Sequence, residues 1–305
     1  MKKTMFITSV IMVVVMAIAL TTSSLAWFTA RGAASVTTDT LTLTAKANAS
    51  SGIQISDVSA GGPWAGSINF TDKAELMPLL PYQYSDAETT LLQALVAEKF
   101  ITNEVDENLK YVNAQGSEAV AANYFASSEI YITNMAQGSG AKAVAITPSI
   151  VFKKDDAVYN PGGTNRSDPN LYVAVLCNKT SAFEADGSTT EGYSTSAADW
   201  EIVNIFNSKA LASGKVKFGK EASAFVSEAD STKSYTELTI ADLITTTATN
   251  TIDPITTDAE SGEYRNFGEV VQFKVVAWYD GVSLVNANSG TALQFELTFT
   301  AAAVA

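Results

Sequence analysis

Val271-Gln272-Phe273-Lys274-Val275-Val276-Ala277-Trp278-Tyr279 puts an apolar side chain at every odd position. A period of two lines one face of a pleated strand, so this stretch reads as a strand with its odd residues turned to a core. Further along, Leu293, Phe295, Leu297 and Phe299 alternate with Gln294, Glu296, Thr298 and Thr300, and near the start Leu41, Leu43 and Ala45 alternate with Thr42 and Thr44. Between these runs, Ile130 to Thr133, Ala143 to Phe152, Leu171 to Cys177 and Lys215 to Phe218 have the same strand character, bounded by clusters of Gly, Pro, Asn and Asp. Trp200 to Phe206 fits a two-sided strand or a helix, and its β-branching favours strand.

One segment carries a helical spacing. Ser85-Asp86-Ala87-Glu88 has the form of a capping box ahead of Leu91, Leu92, Leu95, Val96 and Phe100, which predicts a helix from Asp86 to about Lys99 over an end or edge of the sheets. Many short strands around a core are accommodated most simply by facing sheets. The expected fold is mainly β, a jelly-roll-like β-sandwich with a short helical and loop insertion.

Residues 1 to 26 have the layout of a secretory signal peptide: Lys2 and Lys3, an apolar run from Met5 to Leu20, and the polar Thr21 to Ser24. Ser24 and Ala26 supply the small residues of a signal-peptidase site, which would leave Trp27 first in the mature chain. The apolar run is 16 residues, short of the roughly 20 that span a bilayer. The expectation is therefore export without stable membrane insertion after cleavage. The mature chain from 27 to 305 then reads as a single sandwich domain, with an insertion region at about 154–260.

Composition removes several function classes. The 305 residues hold 32 acidic and 19 basic side chains, a formal charge of -13, which repels nucleic acid. There is no histidine and a single cysteine, Cys177. Histidine triads, zinc fingers, HExxH zinc sites and intrachain disulfides are excluded by that count. Cys177, in an alternating strand, reads as a small buried hydrophobe.

The join of leader and mature chain is the most distinctive part: Ser24-Leu25-Ala26-Trp27-Phe28-Thr29, followed by Ser35-Val36-Thr37-Thr38-Asp39-Thr40-Leu41-Thr42-Leu43. It resembles the TasA and camelysin family of secreted bacterial matrix-fibre proteins, whose leaders are cut by a dedicated signal peptidase. Ile132-Thr133-Asn134 with Ala141-Lys142-Ala143-Val144, and Trp278-Tyr279-Asp280-Gly281 with Asn286-Ala287-Asn288, look like the same family. Asp39-Thr40 stands where the family tends to have a glycine, Val282-Ser283-Leu284-Val285 replaces an acidic cysteine-containing stretch, and 154–260 carries none of the resemblance. The resemblance implies a jelly-roll subunit of extracellular surface or biofilm-matrix fibres, a homopolymer with no partner but itself and, during export, the peptidase. Its donor segment would be the mature N-terminus, with Trp27 and Phe28 as anchors and Val36 opening the strand-forming part.

Camelysin-like relatives have been classed as metalloendopeptidases. A zinc hydrolase normally draws on histidine, and here only carboxylates and Cys177 remain, so no catalytic residue, zinc site or enzymatic activity is expected. Calcium is the one cofactor left open, at Asp155 with Asp156 or at Asp253, Asp258 and Glu260, none with EF-hand spacing. Trp64, Trp200, Trp278, Tyr82 and Tyr84 could form a sugar-stacking face, although aromatics in sheets more often pack in cores. A monomeric surface adhesin or carbohydrate-binding module is accordingly the alternative to the fibre subunit.

Overall fold

In a computed structural model of the chain, the residues described are 41–47, 52–58, 60–73, 78–81, 90–105, 111–115, 125–154, 157–159, 170–178, 195–209, 214–219, 235–244, 251–257, 262–263, 266, 268–280 and 293–304. The strands in the first half of the chain are β1 (Leu41–Ala47), β2 (Ile53–Ser56), β3 (Ser67–Lys73), β4 (Pro78–Pro81), β5 (Phe100–Val105), β6 (Tyr111–Gln115), β7 (Phe125–Asn134) and β8 (Val144–Lys154). The second half supplies β9 (Ala157–Val158), β10 (Leu171–Asn178), β11 (Trp200–Asn207), β12 (Lys215–Gly219), β13 (Tyr235–Thr239), β14 (Thr251–Ile252), β15 (Val270–Asp280) and β16 (Gln294–Ala303). Two short helices, α1 (Leu91–Val96) and α2 (Ile240–Leu243), and a 3-10 turn at Ala197–Asp199 complete the described elements.

The fold is mainly β, as the period-two runs predict. A six-stranded sheet has the order β14-β8-β16-β1-β3, with β9 on β8. An eight-stranded sheet runs β11-β10-β15-β4-β5-β6, with β7 also on β15 and β2 on β7. Most pairings are antiparallel; β1 with β16 and β15 with β4 are parallel. The two sheets share one core, into which Phe273, Val275 and Ala277 of β15 and Phe295, Leu297 and Phe299 of β16 all point. The Phe273 and Phe299 rings lie 5.3 Å apart across it. At one corner Asn134 joins the sheets: its Nδ2 donates to the carbonyls of Lys142 (3.0 Å) and Ile252 (3.2 Å), and its Oδ1 accepts from the Ala136 amide. The motif Ile132-Thr133-Asn134 thus ends a strand with a buried clamp.

A second core lies on the other face of the eight-stranded sheet. There Trp278, Val276, Tyr172 and Leu176 meet α1, the β12-β13 hairpin and Ile240 of α2. Tyr172 stacks on Trp278 at 5.4 Å and Phe100 lies 5.9 Å from the same indole. The stretch 154–260 therefore contributes β10 and β11 to the sheet itself and the hairpin that covers it. Lys217 of the hairpin is 3.6 Å from the buried Asp280 at the end of β15.

The helix differs from the expectation at both ends and in its position. Ser85 to Glu88 lie outside the described residues; the cap that forms is Thr90 with Gln93. Thr90 has extended backbone (φ -87, ψ 164), and the two residues exchange side-chain and backbone hydrogen bonds. Thr90-x-x-Gln93 is itself a capping box, one turn nearer the apolar residues. The helix stops at Val96 because Glu98 adopts φ 54, the left-handed conformation that ends helices. A helix of six residues has little stability alone. Leu91, Ala94 and Leu95 hold it against the sheet's outer face, rather than over an end or edge.

Candidate functional site

Where α1 ends, the outer face of the eight-stranded sheet changes from apolar to polar. Two neighbouring rows of residues cross four strands there. In one, Ile202 of β11 is opposite Leu176 of β10, Leu176 is opposite Lys274 of β15, and Lys274 is opposite Glu129 of β7. In the next, Trp200 is opposite Asn178, and Gln272 is opposite Tyr131. Asn178 and Gln272 complete that second row, Asn178 Nδ2 donating to Gln272 Oε1 at 3.1 Å.

Lys274 and Glu129 are direct cross-strand neighbours of opposite charge, an arrangement that ordinarily forms an ion pair. They turn apart instead. The Lys274 ammonium donates to the Val96 carbonyl (2.9 Å), at the C-terminus of α1 where a cation is favoured, and meets Glu98 at 2.7 Å. Glu129 Oε2 accepts from Gln272 Nε2 (3.0 Å) and lies 3.4 Å from the Tyr131 hydroxyl. Between them is a groove of about 300 Å³, walled by Val96, Thr195 and Trp200 and floored by Gln272, Lys274, Glu129 and Tyr131. Burial, and next the Glu129 carboxylate, push the Tyr131 phenol up from its ordinary 10.0, so it stays a neutral hydroxyl at physiological pH.

Glu98 holds its place against strain. A non-glycine residue in the left-handed region costs about 1–2 kcal/mol, and its carboxylate is fixed there by Lys274 and by the Ser127 hydroxyl at 2.5 Å. The result is a fixed set of donors and acceptors. Cys177 is on the opposite parity, buried in the sandwich core, and burial, with the nearby Glu201 adding to it, pushes its thiol far above the ordinary value. It offers no nucleophile to the groove.

Of the residues singled out from the sequence as site candidates, Trp200 alone among the described ones lines the groove. Ser24, Ala26, Trp27, Phe28, Val36, Tyr82 and Tyr84 lie outside the described residues, as do Asp155, Asp156, Asp258 and Glu260. Asp253 is described, and its amide donates to Glu269 Oε2 at 2.9 Å. Among the described residues no three acidic or thiol groups gather to hold a metal ion, and no helix is long and apolar enough to cross a membrane. Trp278 is a core residue, 1% exposed, and does not face a ligand; Trp200 is largely buried and gives the groove one edge. Glu98, Glu129, Tyr131, Gln272 and Lys274 were not among the sequence candidates. The signal available was the polar pair Gln272 and Lys274 on the off parity of an otherwise apolar strand.

Comparison of the chain with family models, with curated proteins and with solved structures finds no match.

Proposed function

We propose that the chain is a secreted structural subunit of extracellular surface or biofilm-matrix fibres, a jelly-roll-like sandwich that polymerises by adding its mature N-terminal segment as a strand to a neighbouring subunit. The observation that supports this reading is the pairing of the first described strand. β1 opens at Leu41, where the apolar parity of the sequence has shifted since Val36. It already has β16 on one side and β3 on the other. Residues beginning at Trp27 and Phe28 therefore precede a sheet position with no vacancy beside it, and large apolar anchors ahead of a strand-forming segment suit an open edge in another copy. β11 offers such an edge: among the described strands it pairs only with β10, and Trp200–Asn207 contains neither lysine nor proline, the usual guards of an exposed edge. The signal-peptide layout and the family resemblance at the leader junction support the same reading.

Deleting Trp27 to Val36 should leave a folded monomer that forms no filaments in negative-stain microscopy. Polymerisation of the truncated chain at the normal rate would move the interface elsewhere on the sandwich. A second reading, a monomeric surface adhesin or carbohydrate-binding module without enzymatic activity, is favoured by the groove between α1 and β7. Stable monomers of the untruncated mature chain, with affinity for glycans, would select it.

A further inference from the structure

We infer that the groove between α1 and the β7-β15 pair is a binding site for a neutral saccharide. The unused hydrogen-bonding capacity inside it is mixed in kind. Glu129 Oε2 accepts from Gln272 and faces the Tyr131 hydroxyl, and no described residue bonds Oε1. Lys274 spends its bonds on the Val96 carbonyl and Glu98, which leaves the third of its N–H groups for the groove. Thr195, exposed on the wall, adds a hydroxyl that both donates and accepts. Adjacent acceptor, donor and hydroxyl match the vicinal hydroxyls of a sugar ring, each of which donates and accepts.

Charge selects against other small ligands. An anion would meet Lys274 but also Glu129 and Glu98, in a chain of formal charge -13. A cation would meet the Lys274 ammonium directly across from Glu129. A neutral polyhydroxyl compound uses both groups at once, and the charge-assisted hydrogen bonds are the strong ones. The apolar groups sit at the side: Val96 and the edge of Trp200 give a surface for the C–H faces of a sugar. About 300 Å³ is at the small end for ligand sites and suits a short saccharide unit. Glu98, held in a costly conformation by Lys274 and Ser127, keeps that ammonium away from Glu129 and so keeps the groove open.

Saccharide binding here rests on the carbohydrate-binding reading of the groove and is independent of polymerisation, so the ligand can be read in any assembly state. Saturation-transfer NMR of the mature chain with glucose, N-acetylglucosamine, cellobiose and chitobiose should give ring-proton signals from at least one of them. Competition titrations should show binding about tenfold weaker for Glu129→Gln, an exposed position where the substitution leaves the fold intact. Tyr131→Phe and Thr195→Val should each weaken it too. Retention of the chain on cellulose or chitin would identify a polymer as the source of the sugar; binding of the disaccharide without retention would identify free saccharide. Absence of signal from every neutral sugar, signal from galacturonate alone, or equal binding by all three variants would overturn the proposal.

Discussion

β15 and β16 have the same period of two and unlike surroundings. In β16 the odd residues Phe295, Leu297 and Phe299 are buried, while Gln294, Glu296, Thr298 and Thr300 are half-exposed. In β15 every residue from Val270 to Asp280 is buried. The difference is written in the off parity: β16 has Gln, Glu, Thr and Thr there, whereas β15 has Val276 and Trp278 beside Gln272 and Lys274. An alternating strand whose second face also carries large apolar residues is sandwiched between two layers, and polar residues among them mark where the second layer stops. In this chain the layer stops with α1, and the groove begins.

The largest expected effect tests whether the two cores are equivalent. Trp278→Ala, on the outer face of β15, should destabilise the protein by about 3–5 kcal/mol, as should Phe295→Ala in the sandwich core, because both side chains are almost fully buried. Urea unfolding of the two variants checks it. If Trp278→Ala costs under about 1 kcal/mol, of the order of a surface change, the α1 and hairpin layer is not a core and β15 behaves like β16.

An exchange of near-isosteric residues between the two strands sharpens the comparison. Val276→Thr places a hydroxyl in the second core, at a residue with no exposed surface, and should cost about 1–3 kcal/mol. Thr298→Val, on the solvent side of β16, should stay within about 0.5 kcal/mol. Similar melting-temperature shifts for the two would contradict the assignment of faces.

Much of the sheet structure is readable from periodicity. β1, β8, β10, β12, β15 and β16 each coincide with an apolar run, the run Ile130 to Thr133 marks only the second half of β7 (Phe125–Asn134), and β11 falls on the run that β-branching assigned to strand. Strands such as β2 (Ile53–Ser56) and β4 (Pro78–Pro81) are too short, at 4 residues each, to show a period. The site was far less legible. Its floor is assembled by register between β15 and β7, and register is a nonlocal property fixed by pairing. Glu98 shows the same limit: its left-handed backbone depends on the Lys274 and Ser127 partners, which lie far along the chain. At the helix start the box that caps α1 is Thr90-x-x-Gln93, nearer the buried leucines, while Ser85 to Glu88 lie outside the described residues.

The smallest effect concerns Glu269, the residue that leads into β15. Its carboxyl is raised above the ordinary 4.5, chiefly by burial and further by the charge of Asp253, while the hydrogen bond from the Asp253 amide opposes the shift. A carboxyl with a raised folded pKa binds its proton more tightly in the folded state. That contribution to stability is complete below the ordinary value and is lost as pH rises through the raised one. Glu269→Gln keeps an oxygen to accept the Asp253 amide and removes the half-buried charge. The variant should therefore be more stable than the parent at neutral pH, with the gap closing as pH falls into the ordinary carboxylate range. Paired denaturant titrations across that range measure it. A variant less stable at every pH would mean that the ionised carboxylate, through its bond to Asp253, is needed to start a strand buried on both faces. At the start of β16 the Leu293 amide donates instead to the Tyr279 hydroxyl at 2.8 Å. Leu293→Ala, which retains that amide, should accordingly show no such pH-dependent gap relative to the parent.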